Sequence, residues 1–501
     1  MAPLHHIMFL NQLTNTGTTL EAQSPENLRQ LWSDVADYFE EENDPHQKME
    51  GGQYSIVETI TDTSKGRGTK VTFPIGGRVY PRAKQGEARF TAATDYAKTP
   101  LGADELEVDY VRFAHNESVR TAEHMGMVGS EIFNRVPEML GQTMGWWKSS
   151  HTQRCILHKI NSENKVIAGG KSSTDALESH DTLGWDEVVD MNALLKPLGG
   201  KSALLGKDTQ GNPIFGGAVV ATTPGITSLK KDPTYKTNLQ QAGPKATTNT
   251  LFAGGIAMVD GNAFMEFQAM DHDDEGPIGC AYSPKAYLGA AITAGTTALN
   301  LVGGGSATKA ANTSVDYLWD FPKFAFAFTP ADVLSTTAQF WPLNGSNNFY
   351  VTIVNPRSLD GGKWAIYECG SNNGYQIGVV KRLSDNTNGI AYGTVGDVTW
   401  NSAIHTNVHP EGALMYLSTS RGLPLFATPM LLQRALRRGY GTERNKRTDD
   451  SDEGGFGNYT YIRTVFGQNT RHNKDGRVPG IAVLIHTGVY EGWNIPEYTA
   501  A

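Results

Sequence analysis

The apolar positions near the start of the chain predict an amphipathic helix between Ser24 and Glu42. Ser24 can cap this helix, and Pro25 suits its first position. The residues that form one apolar stripe at helical spacing are Leu28, Leu31, Trp32, Val35, Tyr38 and Phe39. The Thr- and Asn-rich leader before the helix shows no period. The stripe needs a surface to lie on, which is either its own domain or a neighbouring copy of the chain.

The next pattern predicts a projecting hairpin between Thr61 and Tyr110. Lys70–Pro74 (KVTFP) alternates apolar and polar residues as a strand does, and Glu105–Val111 (ELEVDYV) resumes the alternation. The segment between these two strands is polar and rich in Lys and Arg. A long hairpin of this kind cannot bury itself, and its exposed edge is an aggregation hazard unless another copy covers it.

Apolar residues at roughly helical spacing predict the longest helix between Glu117 and Ile160. Pro137, together with glycines 141 and 145, is expected to kink or split this helix. A shorter helix is predicted over Val188–Leu198, where Gly199-Gly200 follows as a stop signal.

Beyond Gly211 the pattern changes to short β-prone runs separated by Gly, Asn and Pro. The predicted strands are Gly217–Ala221, Leu251–Val259, Phe324–Phe328, Phe349–Val354, Ala365–Tyr367 and Ala482–Ile485. Met430–Arg438 is predicted as a short basic helix. Arg444–Gly455 is predicted as a charged, mobile loop.

The composition describes a globular chain with a weakly charged surface. Of its 501 residues, 39% are hydrophobic and only 19% are charged, below the ~25% of typical soluble domains. A low charge content suits a protein much of whose surface lies against other subunits. The net charge of −9 argues against a dedicated nucleic-acid binder, but it allows the protein to enclose DNA without adhering to it.

The sequence contains no stretch of about 18 apolar residues that could span a bilayer. The first ten residues lack Lys, Arg and a small-residue cleavage site, so we expect no signal peptide. The three cysteines are far apart and odd in number, which favours a reducing compartment over a disulfide framework.

Two charged clusters are candidates for binding, and no catalytic motif or cofactor site is recognisable. Asp271, Asp273 and Asp274 could hold a structural cation, although a solvated acidic loop is the commoner outcome for such a run. A basic cluster comprises Arg434, Arg437, Arg438, Arg444, Lys446 and Arg447. It could face phosphate, but the acidic residues that follow favour a mixed-charge surface or an intersubunit zone.

The order of these elements resembles the major capsid proteins of tailed bacteriophages. Gly68–Gly77 (GTKVTFPIGG), Glu107–Asn116 (EVDYVRFAHN), Thr222–Ala242 and Asn249–Gln268 (NTLFAGGIAMVDGNAFMEFQ) are similar to segments of the family typified by coliphage N-four. The ordered matches cover roughly residues 65–330. Thr250 stands where that family often has Pro, and residues from about 330 onward match nothing.

The resemblance implies an α+β fold of the HK-ninety-seven type with five regions. Residues 1–64 would be an N-terminal arm with an amphipathic helix, and residues 65–115 an extended loop. Residues 116–268 would hold the spine helix and the peripheral domain, and residues 269–330 an axial-domain-like region. Residues 331–501 would form a β-rich axial or added domain.

The resemblance also implies a structural role and no enzymatic activity. The chain would form hexamers and pentamers of an icosahedral shell around double-stranded DNA, in a virion assembled in the host cytoplasm, with portal, scaffold and decoration proteins as partners. Contacts between subunits are expected at Arg78, Arg82, Lys84, Arg89, Leu28, Leu31 and Trp32. A secreted β-rich hydrolase and a phage tail or baseplate protein are the alternatives.

Overall fold

The computed structural model of the chain describes only part of the sequence. The described residues are 36–41, 44–52, 54–60, 70–76, 101–118, 129–159, 162–207, 213–241, 259–267, 282, 285–287, 348–354, 364–370, 414–419, 422–441, 446–451, 457–473 and 476–488. The chain divides into two compact units. The first comprises Met1–Glu42, Val111–Gly145 and Glu443–Thr464, and the second comprises Asn43–Tyr110, Trp146–Thr442 and Val465–Ala501.

The described residues mix helices with strands. The helices are α1 (residues 36–41), α2 (Gly129–Lys159), α3 (Trp185–Leu195), α4 (Thr223–Lys231) and α5 (Pro233–Gln241). The strands before residue 225 are β1 (Glu50–Gly51), β2 (Val57–Ile60), β3 (Lys70–Gly76), β4 (Leu101–Glu107), β5 (Asp109–Ser118), β6 (Lys165–Ile167), β7 (Ala203–Lys207) and β8 (Pro213–Thr222). The later strands are β9 (Asn262–Phe267), β10 (Lys285–Tyr287), β11 (Asn348–Val354), β12 (Trp364–Gly370), β13 (Leu414–Ser418), β14 (Leu425–Leu431), β15 (Leu436–Tyr440), β16 (Lys446–Ser451), β17 (Gly457–Thr470) and β18 (Ile481–Thr487). The predicted α+β class is confirmed.

The long helix α2 is present, but two details of its prediction are wrong. Glu117 and Ser118 end the strand β5 instead of beginning the helix; residues 119–128 lie outside the described part of the chain, and the described helix begins at Gly129. It also runs unbroken through Pro137 and Gly141. Gly141 has a packing reason: a Cβ there would lie 2.4 Å from the carbonyl oxygen of Ala36, so glycine lets α1 approach α2 closely within the first unit.

The predicted hairpin arms do pair with each other. β3 and β4 are antiparallel, with Lys70 opposite Glu107 and Gly76 opposite Leu101. We call this pair the β-ribbon. Among the described strands, β3 and β4 pair only with each other. The predicted strand Glu105–Val111 is interrupted at Val108, where β4 ends and β5 begins.

The core of the second unit lies around a six-stranded sheet. Its strand order is β6-β18-β14-β8-β7, and β9 also pairs with β8. β14 and β18 are buried along their whole length, as expected of central strands with nearly continuous apolar sequence. The predicted strands Gly217–Ala221 and Ala482–Ile485 lie within β8 and β18. Asp260 and Gly261, with φ of 47° and 79°, form the turn that leads into β9.

Two predictions near the end of the chain are wrong. Met430–Arg438 is not a helix, because its residues end β14 and begin β15, and Arg434 (φ 54°) lies in the turn between these strands. Helix-forming residues such as Met430, Leu436 and Arg438 adopt strands here because the sheet buries them, and burial outweighs intrinsic propensity. Arg444–Gly455 is not a loop throughout, since β16 pairs antiparallel with β17 from Lys446–Arg463 to Ser451–Asn458.

The remaining sheets involve strands that the sequence pattern predicted in part. β11 pairs with β12 and β13, and β10 pairs with β13, so Phe349–Val354 and Ala365–Tyr367 are strands as predicted. In the second unit, β15 pairs in parallel with β2 and antiparallel with the end of β17. The predicted strand Phe324–Phe328, and all of the predicted strand Leu251–Val259 except its last residue, lie outside the described residues.

Candidate functional site

Most of the predicted contact and binding residues lie outside the described part of the chain. This applies to the basic residues of the hairpin, to the apolar stripe of the leader helix and to the acidic loop: Arg78, Arg82, Lys84, Arg89, Leu28, Leu31, Trp32, Asp271, Asp273 and Asp274. Their roles therefore stay predictions. The basic cluster near residue 440 is partly described, and the structure separates its members.

Three of those basic residues occupy different environments. Arg434 and Arg437 both contact Glu58, with nitrogen–oxygen distances of 3.3 Å in each case. Arg438 is 0% exposed and points to the opposite face of β15 from Arg437, which is itself buried. Two members of the predicted basic cluster, Arg437 and Arg438, therefore have different acidic partners on opposite faces of one strand.

Arg438 lies at the centre of a buried polar network in the second unit, which we call the Arg438 cluster. Its Nη1 donates hydrogen bonds to Asp44 Oδ2 and Glu50 Oε1, both at 2.7 Å. Its Nη2 donates to the hydroxyl of Thr152 at 2.6 Å. Tyr440, two residues along β15, donates to the same Glu50 oxygen at 2.6 Å. The cluster thus joins the segment after α1, the helix α2 and the strand β15.

His46 extends the Arg438 cluster. Its Nδ1 lies 3.2 Å from Asp44 Oδ1, and its Nε2 lies 3.3 Å from the hydroxyl of Tyr282. Burial lowers the pKa of His46, and Asp44 only partly opposes this effect. In the neutral ring, Nδ1–H donates to Asp44 and Nε2 accepts from Tyr282.

The opposite charges of Asp44 and Arg438 compensate each other within the cluster. Burial alone would raise the pKa of Asp44, but Arg438 and His46 outweigh it and hold that pKa well below its usual range. Burial alone would lower the pKa of Arg438, whereas Asp44, Tyr440 and Glu50 hold it well above its ordinary value. Asp44 and Arg438 are therefore both charged, and each can be buried because the other compensates its charge.

Aromatic rings form the wall beside this cluster. Lys148 Nζ lies 5.1 Å from the ring centre of Tyr440 and 5.2 Å from that of Phe466. The guanidinium carbon of Arg438 lies 5.6 Å from the same Phe466 ring. Trp147 packs edge-on against Phe466 at 5.7 Å. Buried cations over ring faces gain cation–π attraction, which helps to offset the loss of water.

The Asp44–His46–Tyr282 order resembles a catalytic relay, but its surroundings exclude that chemistry. A carboxylate, an imidazole and a hydroxyl in sequence can activate a nucleophile when a substrate can reach the hydroxyl. Here Asp44, His46 and Tyr282 are each 0% exposed. A substrate has no access to them, so the geometry supports a structural clamp.

Sequence reasoning missed this cluster because its members are dispersed along the chain. Arg438 was assigned to a surface patch, and Asp44, Glu50 and Thr152 carry no local signal. The one available hint was strand alternation: if Met430–Arg438 is read as a strand, Arg437 and Arg438 must point to opposite faces. The structure buries both and pairs each with a carboxylate.

Within the described ranges, no group of three or more His, Cys, Asp or Glu side chains could hold a metal ion. None of the helices in the described part of the chain is long and apolar enough to cross a membrane.

Solved structures of phage capsids are similar to this chain. A chain of the capsid of Ralstonia phage GP4 aligns with 89% of this chain and 91% of its own length, at 10% identity and a TM-score of 0.47. The acid-stable capsid of Helicobacter pylori bacteriophage KHP30 aligns over 89% and 91%, at 8% identity and a TM-score of 0.46. The chain is similar to phage capsid structures.

A cyanophage Pam1 capsid chain gives the same result, with 88% and 91% coverage, 8% identity and a TM-score of 0.42. All three of these structures are phage capsids, the class of protein whose sequences this chain resembles. No protein-family model matches the sequence. No curated protein matches it either.

Proposed function

We propose that this chain is the major capsid protein of a tailed bacteriophage, with an HK-ninety-seven-type fold. The β-ribbon carries the proposal. Its two strands are joined by residues 77–100 and pair with no other described strand. The base of the β-ribbon packs on the second unit, because Leu106 is 1% exposed and Asn469 donates to the Glu105 carbonyl. A two-stranded ribbon is marginally stable by itself in water, so the part beyond this base needs a surface to lie on, and a second copy of the chain would supply one.

The order of the elements supports the same proposal. The chain runs from α1 to the β-ribbon, then to the long helix α2, and then to sheets that share strands from distant parts of the sequence. That order follows the arm, extended loop, spine helix, and peripheral and axial domains of the capsid family. The subunit would form hexamers and pentamers that close into an icosahedral shell around double-stranded DNA.

The Arg438 cluster would give the subunit a rigid centre in this role. It ties residues 44–50, which follow the arm helix in sequence, to α2 and β15. A subunit that must meet different neighbours needs movable extensions on a body that does not deform. We propose no catalytic site or cofactor. Portal, scaffold and decoration proteins remain expected partners, and the virion is the expected location.

Negative-stain electron microscopy of the purified full-length chain tests the proposal. We expect closed shells, or hexamers and pentamers, in a buffer of near-physiological salt. Size-exclusion chromatography with light scattering gives the mass of the same sample. A uniform monomer at every protein concentration tested would contradict the proposed function.

A further inference from the structure

The second unit exposes an apolar surface beside β7. Six large apolar side chains in the described residues are exposed, and three of them adjoin one another: Tyr54 (58%), Leu204 (39%) and Phe215 (54%). Leu204 on β7 is directly opposite Phe215 on β8, which places both side chains on one face of the sheet. The backbone N–H of Leu204 donates to the carbonyl of Tyr54 at 2.9 Å. We call these three residues the apolar patch.

This surface is unsuited to pairing with an added strand. The register of β7 and β8 shifts between Leu204 and Gly206, and a bulge in an end strand disrupts further pairing. Tyr54 already accepts one of the hydrogen bonds that β7 offers. A partner would therefore contact the patch through side chains rather than through the backbone.

Basic residues border the apolar patch. Lys201 is exposed three residues before Leu204, and its carbonyl accepts a hydrogen bond from Gln433 N at 2.9 Å. The next residue, Arg434, donates its backbone N–H to Ser55 at 2.9 Å. The side chain of Arg434 lies 3.3 Å from Glu58, so Lys201 provides the exposed positive charge at this border.

A complementary surface is present on α3 of the same chain. Val189 is 38% exposed, and Asp186 and Asp190, on either side of it, are exposed as well. Burial raises the pKa of Glu187, and the nearby charges of Asp186 and Asp190 raise it further. We call this surface the acidic patch. It has an apolar centre with an acidic border, whereas the apolar patch has a basic border.

The two patches lie on different parts of one sheet, because α3 crosses the sheet and its N-terminal half carries the acidic patch. Glu187 in that half lies beside Gly169, which follows β6, whereas Asn192 further along α3 donates to Asp260 near β9. α3 packs against β6 and β18, and β6 is the end strand at that side of the six-stranded sheet. β7, which carries Leu204, is the end strand at the other side. Two complementary surfaces on separate parts of one chain can join copies head to tail, and a head-to-tail contact closes into a ring when its rotation allows.

We propose that the apolar patch, with Lys201 at its border, docks on the acidic patch of a second copy of this chain. The proposal rests on the proposed function, because it assigns one contact between subunits of the shell. The apolar patch exposes on the order of 300 Å², well under the ~800 Å² per partner of a stable two-body interface. The contact is therefore weak alone and effective when many copies repeat it.

A charge swap tests the proposal on the full-length chain. Lys201→Glu should raise the protein concentration needed for assembly three- to tenfold, and Asp190→Lys should do the same, because each replaces attraction with repulsion. The double variant should restore assembly to within about twofold of the wild type, since it recreates the pair with opposite signs. Lys236→Glu, at an exposed position on α5, is the matched control. Sedimentation velocity measures the assembled fraction.

A second arm removes the apolar contact. Tyr54→Ser, Leu204→Ser and Phe215→Ser together should raise the assembly threshold at least tenfold, and Met139→Ser, at another exposed apolar residue, should not. All variants should keep the circular dichroism spectrum of the wild type, because the altered residues are exposed.

The outcomes separate the two proposals. If the wild type assembles and the triple serine variant assembles equally well, the patch proposal is overturned and the proposed function stands. Failure of the double charge swap to restore assembly also overturns the patch proposal, as does an equal effect of the control variants. If the wild type itself never assembles, the proposed function fails and this inference fails with it.

Discussion

At the residue scale, Arg438 shows how a buried charge can be tolerated. Its guanidinium donates to two carboxylates and one hydroxyl, all within 2.7 Å. Charge-assisted hydrogen bonds of this kind are stronger than neutral ones. The net contribution of such a cluster to the free energy of unfolding is smaller than the free energy that is lost when one member is removed.

Arg438→Ala should therefore lower the free energy of unfolding by about 3–5 kcal/mol, because Asp44 would remain buried without its cation. Arg438→Met combined with Asp44→Asn should cost less than the single change, because neither charge is then left unpaired. Arg477→Ala is the control: Arg477 and Glu163 are both more than half exposed and 3.5 Å apart, so its loss should cost at most ~1 kcal/mol. Urea unfolding measures all three. Equal losses for Arg438→Ala and Arg477→Ala would contradict the clamp.

His486 predicts a dependence of stability on pH. Its ring is fully buried, accepts from Thr428 at 2.9 Å and donates to the Thr487 carbonyl at 2.8 Å. Burial lowers its pKa to about 4, despite the hydrogen bond to Thr487. Between its ordinary pKa of about 6.5 and this value, the unfolded chain binds a proton that the folded chain does not, so stability falls as pH falls.

We expect His486 to contribute a loss of about 3 kcal/mol between pH 6.5 and pH 4. Urea unfolding of the wild type and of His486→Gln at pH 7.5, 6 and 5 measures it. The variant should show a shallower decline, and the slope that remains reflects other groups such as His46, whose pKa is also lowered. Identical slopes in the two proteins would rule out the assignment to His486.

At the element scale, sequence pattern succeeds where an element is set by its own residues. β3 and β18 lie where alternation and apolar runs predict strands, and α3 ends close to the predicted Gly199-Gly200 stop. The sequence pattern gives the wrong prediction at Met430–Arg438, because a run of basic residues and leucines is locally typical of a helix. Pairing with β18, β8 and β2 makes it two strands instead, and no local pattern contains those partners.

The β-ribbon gives a prediction for assembly. Its connecting segment carries Arg78, Arg82 and Lys84 on a chain of net charge −9, so contact with an acidic neighbour would gain electrostatic complementarity. Changing all three residues to Glu should leave the circular dichroism spectrum unchanged and prevent closed shells at low salt. Raising the salt should partly restore them, because surface charge is screened over ~8–10 Å.

The matched control for this variant is the change of Lys196, Lys230 and Lys236 to Glu, which alters net charge equally at exposed positions away from the β-ribbon. Electron microscopy counts closed shells in each sample. Normal shell formation by the β-ribbon variant at low salt would show that this segment does not contact a neighbour.

At the scale of the whole molecule, the order of elements could be predicted, whereas their arrangement could not. Leader helix, hairpin, long helix and mixed sheets follow each other as the sequence indicates. The strand order of the sheets depends on pairs such as Val219 with Met430 and Lys165 with Val483. The Arg438 cluster escaped prediction for the same reason, since its members meet only when these distant segments do.

That arrangement has a consequence for biosynthesis. β18 lies between β6 and β14 in the six-stranded sheet, so the sheet stays open until residues 481–487 have been translated. Long-range pairing of this kind is slow and leaves apolar strands unpaired meanwhile. A ribosome that stalls early therefore releases a chain whose central sheet cannot close. We expect a product that lacks residues 481–487 to be a substrate for chaperones or proteases, because its apolar strands stay exposed.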